Sequence, residues 1–179
     1  PSNRCYYCKS ELYTELRNIA GQLGIKNILN GTNFDDLGDF RPGLKAADEN
    51  DIISPLKDAK FTKNDVRELA KHLGLEIWDK PSSPCLSSRV PYGQEITLKK
   101  LSMIENAENF LKNFGIRELR VRHLGSVARI EVNENDKSKI NENINLIKKK
   151  FDEIGFNQII ISNFKSGSLN VMINVRAEN

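Results

Sequence analysis

The chain has 179 residues and a formal net charge of +3, from 27 Lys and Arg against 24 Asp and Glu. That length buries a real core in one domain or two small ones, and the small, interspersed charge gives no sign of a nucleic-acid partner. No stretch approaches the roughly 18 apolar residues of a membrane span, and no basic start with an apolar run reads as a secretory leader, so a cytoplasmic protein with reduced thiols and no membrane partner is expected.

The chain opens at Pro1 rather than at a methionine, and the expectation is a fragment of a longer protein. Cys5 and Cys8 come almost at once, as a C-x-x-C in NRCYYCK. Behind them, SELYTELRNIAGQLGI places Leu12, Leu16, Ile19, Ala20 and Leu23 on one helical stripe, with Ser10 as N-cap and Gly24 as the stop. KNILNG reads as a short strand. TNFDDLGDFRPG, dense in Asn, Asp and Gly, reads as a loop rich in oriented polar groups. PGLKAADEN is a brief helix, and DIISPL a buried strand ended by Pro55. Thr62 with Asp65 forms a capping box for a helix that carries Val66, Leu69, Ala70 and Leu73 up to Gly74. LEIWD is then a strand feeding the next loop. Alternating strand and helix predict an α/β domain, a parallel sheet covered by helices.

DKPSSPCLSSRVPYG is stiff and non-repetitive, as a domain junction is, which sets domains at 1–94 and 95–179. Thr97 caps a helix whose Leu101, Ile104, Ala107, Glu108 and Leu111 run to Gly115. Strands IRELRVRHL and SVARIEV turn at Gly125. A helix over about 136–154 and a strand NQIIIS follow. Helix, two strands, helix, strand is most of a ferredoxin-like split βαβ unit, a small α+β domain.

Candidate chemistry lies at three places. Cys85, far along the chain, would join Cys5 and Cys8 in a three-thiolate site with one ligand position open. The alternatives are a two-cysteine redox switch and a structural zinc completed by His72 or His123; an odd number of thiols argues against disulfide stapling. Ser87, Ser88 and Arg89 place hydroxyls and a guanidinium beside Cys85, which makes the cysteine a better ligand or nucleophile. In the Asn/Asp loop, Asp35, Asp36 and Asp39 repel one another unless a cation such as Mg²⁺, or hydrogen-bond donors, meet them; Arg41 offers a local counter-charge. In the second domain Arg120 and Arg122 share one strand face, while Leu119, Val121 and His123 share the other. Arg129 and Glu131 likewise oppose Ala128, Ile130 and Val132. Any half-exposed sheet alternates so. The functional alternative is that Arg120 and Arg122 clamp a phosphate, with Glu131 as their neutralising partner or a metal contact.

In order, NRCYYCKSELY, LNGTNFDDLGDFRPGLKAA, SPL, LGLEIWDKPSSPCLSSRVPYG and IRELRVRHLGSVARIEV closely resemble the PP-loop ATP pyrophosphatase family, of the adenine nucleotide alpha hydrolase superfamily, whose members thiolate a pyridinium dicarboxylate mononucleotide during synthesis of the nickel-pincer nucleotide cofactor. The likeness runs from Arg4 to about Leu169. It implies the C-terminal part of a Rossmann-like ATP-binding domain followed by a domain that carries part of the substrate site. Some members use one sacrificial cysteine at the position matching Cys85. Others have three, matching Cys5, Cys8 and Cys85, and look like [4Fe–4S] proteins that pass on an external sulfide. With all three present, this chain resembles the cluster type.

Under that resemblance Asn33, Asp36, Arg41 and Ser88 are the expected contacts of ATP and Mg²⁺. Cys85 and Arg89 are the expected catalytic residues, and Arg120, Arg122 and Glu131 the expected substrate-binding residues, the two arginines on its phosphate. A sulfide or sulfur donor and a homo-oligomer are the expected partners. The family's Gly-rich SGGxDS-like pyrophosphate loop is not in this sequence, and the glycines of AGQLG, within and at the end of a helix, do not replace it. The missing N-terminal part of the same protein is expected to supply it, and this chain alone is expected to be inactive. The expected reaction is two-stage: ATP converts a carboxylate to an acyl adenylate, and sulfur then displaces AMP. The rival readings are a tRNA thiolation enzyme and a non-catalytic iron–sulfur or zinc-binding module.

Overall fold

No proline interrupts residues 4–22, and the chain answers with one long helix, α1, over Arg4–Gln22, followed by Gly24 at φ +67°. The computed structural model describes residues 1–38 and 41–164. Helix α1 begins at Arg4 rather than at the expected cap. Ser10 therefore lies inside it and donates its Oγ to the Tyr6 carbonyl at 2.9 Å. The cysteine pair rides on the helix rather than preceding it.

The chain divides into two units, Pro1–Lys80 and Pro81–Asn179. In the first, α1 lies against α2 (Pro42–Glu49) around a small core of Tyr13, Ala46, Ala47 and Ile52. Gly43 makes the close approach possible, because a Cβ there would sit 3.1 Å from Lys9 Cγ and 3.7 Å from the Cys5 carbonyl oxygen. The two expected strands meet as a single parallel bridge, Leu29 with Ile53, held by Asn30 N–H to Ile53 O and Ile53 N–H to Ile28 O, both at 3.0 Å. Pro55 opens a one-turn helix, α3 (Pro55–Asp58). The capping box forms as expected at α4 (Lys63–His72), with Thr62 and Asp65 exchanging bonds.

LEIWD is not a strand. Trp78 N–H donates to Leu75 O at 3.2 Å and Lys80 N–H to Ile77 O at 3.0 Å, which are turn bonds. With no neighbouring strand to pair with among the described residues, the backbone satisfies itself locally. Leu75, Ile77 and Trp78 are left exposed, with the Lys71 ammonium 4.7 Å above the Trp78 ring.

In the second unit Thr97 accepts from Lys100 N–H and starts α5 (Leu98–Lys112). Strands β1 (Leu119–Leu124) and β2 (Val127–Val132) form an antiparallel hairpin. Its two-residue loop begins with Gly125 at φ +72°, the left-handed conformation such loops require. The expected long helix is two, α6 (Lys137–Glu142) and α7 (Ile144–Ile154). They part at Asn143, whose amide donates back to Lys139 O at 2.9 Å. Strand β3 (Gln158–Asn163) then pairs parallel with β2.

The sheet order among the described residues is β1-β2-β3. Strands β2 and β3 are thus direct neighbours, and the crossover is a contiguous βαβ, where a split unit would place another strand between them. Helices and sheet share one core, in which Val121, Ala128 and Ile130 meet Ala107, Leu111, Ile147 and Phe151. The architecture is mixed helix and sheet, in keeping with the α/β class. Among the described residues no helix is long and apolar enough to cross a membrane.

Candidate functional site

The boundary between the two units falls inside the proline-rich segment, after Lys80, and from Pro81 on the segment belongs to the second unit, where a buried arginine holds it. Arg89, 3% exposed, closes a short 3₁₀ turn over Leu86–Arg89. Its Nε donates to Glu108 Oε1 at 2.8 Å and its Nη2 to Glu108 Oε2 at 3.3 Å. Its Nη1 donates to the carbonyls of Pro84 (2.7 Å) and Cys85 (3.2 Å) and to Ser88 Oγ (2.9 Å). One guanidinium therefore ties the backbone of Cys85 to α5. Glu108, from the inward stripe of α5, also accepts Val121 N–H at 3.0 Å, so the same carboxylate reaches β1.

Strand β1 carries the two other arginines. Both faces of β1 are buried: Arg120 and Arg122 are 8% and 2% exposed, where alternation alone predicted a half-exposed strand. Arg122 Nε donates to Glu131 Oε1 at 2.6 Å and its Nη1 to the Ser88 carbonyl at 3.0 Å. Ser88 is thus gripped from both sides, by Arg89 at its hydroxyl and by Arg122 at its carbonyl. Glu131 serves as the neutralising partner of Arg122. Its second oxygen, Oε2, is buried and has no hydrogen-bond partner among the described residues.

Arg120 is different. Its guanidinium stacks 4.5 Å from the Phe164 ring centroid, and no hydrogen bond or ion pair engages it among the described residues. Burial pushes its pKa below the ordinary arginine value, the positive charges of Arg89 and Arg122 add to that, and Glu131 and Glu118 partly oppose it. Three guanidiniums near one another, two of them matched by carboxylates, leave one buried positive charge in excess. Such a place favours an anion with several oxygen acceptors.

The three thiols are all exposed, and none is in a disulfide. Cys5 and Cys8 belong to the first unit, on the first turns of α1; Cys85 belongs to the second. Within either unit, among the described residues, no three His, Cys, Asp or Glu side chains gather as a metal site. His72 is exposed at the end of α4 and His123 is buried in the sheet. Thiolate sulfur is the soft ligand type that iron–sulfur clusters take, and within the first unit the two accessible thiols of Cys5 and Cys8 stand one helical turn apart.

In the loop of the first unit the chain itself meets the carboxylates. Asp35 accepts Lys63 N–H at 2.8 Å, at the start of α4. Asp36 accepts Asn33 N–H at 3.2 Å while Asn33 Oδ1 accepts Asp36 N–H at 3.3 Å, and Arg41 Nη2 lies 2.8 Å from Asp36 Oδ1. Asn33, Asp36 and Arg41 form one cluster around a short 3₁₀ turn over Phe34–Gly38. Asp39 lies outside the described residues. Sequence reasoning passed over Glu108 and Phe164 as site residues. A carboxylate on an otherwise aliphatic helix stripe was the available sign of the first; nothing announced the second.

No family model matches the chain. It is 41% identical over 174 residues to an uncharacterized protein of Synechocystis sp., covering 95% of this chain and 65% of that one. It is 38% identical over 159 residues to an uncharacterized protein of Methanocaldococcus jannaschii, with coverage of 89% and 62%. It is 37% identical over 170 residues to the pyridinium-3,5-bisthiocarboxylic acid mononucleotide synthase of Lactiplantibacillus plantarum, with coverage of 92% and 60%. The chain spans less than two thirds of the length of each of these relatives.

Proposed function

We propose that this chain acts, as part of a complete ATP-dependent sulfur transferase, in converting the carboxylates of a pyridinium-3,5-dicarboxylate mononucleotide to thiocarboxylates for a nickel-pincer cofactor. The observation that carries the reading is the 37% identity, over 92% of the chain, to a protein that bears the matching synthase name. The buried arginine cluster supports it, since a mononucleotide substrate needs a phosphate anchor.

In this reading Arg120 supplies the uncommitted donors for the phosphate, beside Arg122, whose fork Glu131 and the Ser88 carbonyl hold in place. An anchored phosphate contributes to rate as well as to binding, because it fixes the far end of the substrate while its carboxylate reacts. Arg89 and Glu108 set the backbone of Cys85. Asn33, Asp36, Arg41 and Ser88 are assigned to ATP and its Mg²⁺. ATP turns the carboxylate into an acyl adenylate with loss of pyrophosphate, and a sulfur nucleophile then expels AMP. Cys5, Cys8 and Cys85 would hold a [4Fe–4S] cluster, which when bound supplies an iron without a protein ligand for the sulfide.

The test is a thiolation assay of the complete protein with the pyridinium mononucleotide and, separately, with tRNA. Thiocarboxylate with matching release of pyrophosphate and AMP is expected from the mononucleotide alone. Thiolated tRNA without any thiocarboxylate would replace this reading by the tRNA enzyme.

A further inference from the structure

The C-x-x-C lies on a helix, and its two thiols therefore have a relation to each other that does not depend on any metal. Residues three apart in an α-helix share a face, with Cα atoms about 5 Å apart, inside the range of roughly 4.4–6.8 Å over which a disulfide closes. Both side chains are exposed. Between them Tyr6 is turned onto α2: its hydroxyl donates to Glu49 Oε2 at 2.6 Å, and Lys45 Nζ stands 5.6 Å from its ring centroid. The helix is thus held from its buried side while the thiols face solvent. The Cβ atoms of such a pair must close by an ångström or so to about 4 Å. That closure falls in the first turns of α1, where Asn3 makes no side-chain cap bond.

We infer that Cys5 and Cys8 are a reversible dithiol, closing to an intrachain disulfide by exchange with a small-molecule disulfide. One cysteine attacks the small disulfide and releases one small thiol, leaving a mixed disulfide. The second cysteine attacks the sulfur of the first and releases the other thiol. Two electrons and two protons pass from the protein to the small disulfide, and one S–S bond is exchanged for another. The consequence for metal rests on the cluster reading above: a closed pair has no thiolates to offer, so oxidation locks the site against loading. The disulfide itself stands independently of that reading.

The experiment equilibrates the chain with glutathione disulfide, blocks remaining thiols with iodoacetamide and digests with trypsin. Arg4 and Lys9 flank the pair, so both cysteines leave in one peptide, residues 5–9. The expected peptide is about 2 Da lighter than the reduced one, with thiols that alkylate only after dithiothreitol. The Cys85→Ser variant is expected to behave identically. A peptide with glutathione adducts, one with two alkylated thiols, or loss of the bond in the Cys85→Ser variant overturns the dithiol. A second arm offers ferrous iron and sulfide anaerobically. The reduced chain is expected to take up iron and the oxidised chain none until dithiothreitol is added, and equal uptake by both overturns the lock. Failure of the reduced chain to take iron while the light peptide still forms removes the cluster reading and leaves the dithiol standing.

Discussion

Arg89 and Glu108 meet at 2.8 Å with side chains only 4% and 6% exposed, and through that pair the Cys85 backbone, helix α5 and strand β1 are bonded to one another. Removing one partner of a buried pair strands the other charge, at a cost of about 3–5 kcal/mol. Glu108→Ala is therefore expected to lower the unfolding free energy by about that amount, read from urea titration of the chain. A loss under about 1 kcal/mol would mean that the pair relaxes into water once broken.

Arg120 and Arg122 are expected to fail in different ways. Arg122 already serves Glu131 and Ser88, so Arg122→Lys, which loses the planar fork, should weaken both stability and substrate binding. Arg120→Ala should leave stability nearly intact. In the complete protein it should cost roughly tenfold to a hundredfold in mononucleotide affinity, about 1.5–3 kcal/mol for one charge-assisted bond. Isothermal titration of both variants separates the two effects, and unchanged affinity in both would remove the phosphate assignment.

Under the proposed cluster, serine at Cys5, Cys8 or Cys85 should each lower iron and acid-labile sulfide in anaerobically reconstituted protein, because three thiolate ligands would become two in every case. Full iron content in Cys85→Ser would confine any metal to the helical pair. Zinc in place of iron would favour a structural site.

His123 gives the second unit a pH dependence. It is 5% exposed, packed edge-on to Phe156 at 5.4 Å, and its Nδ1 has no partner among the described residues. Burial pushes its pKa below the ordinary 6.5; Lys100 adds to that, and a backbone hydrogen bond partly opposes it. The unfolded chain thus binds this proton more readily than the folded one. Stability is expected to be full above pH 6.5 and to fall as pH drops from there toward the depressed folded value. Unfolding titrations between pH 5 and 8, as an approximate window, should show the slope in the parent and a shallower one in His123→Leu.

What the sequence announced, it announced through residues whose chemistry acts locally. Thr62 and Thr97 can accept a helix N–H wherever they stand, and both do. Gly125 supplies the turn that any two-residue hairpin loop needs. For Glu131 the sequence left two roles open, neutralising partner or metal contact, and its pairing with Arg122 follows from the register that sets Arg120 opposite Glu131. The apolar spacing of LEIWD suggested a strand, but a strand exists only through a neighbour. Ser10 looked like a cap because its type favours one, yet nothing between Arg4 and Ser10 breaks a helix, and propagation through the cysteines won. The arginine cluster was half visible: its residues could be named, while their burial and the role of Glu108 come from a segment folding back onto the sheet.

The bond from Val121 to Glu108 has an effect beyond the site. Strand β1 is the border of the sheet order among the described residues, and a border strand with open N–H groups is a template on which another chain can add a strand. Here the outward N–H of Val121 is already taken by a carboxylate. An incoming strand would have to displace Glu108 from Val121 and from Arg89 together, uncovering two buried charges. The residue that sets the Cys85 loop therefore also guards this margin against edge-to-edge aggregation.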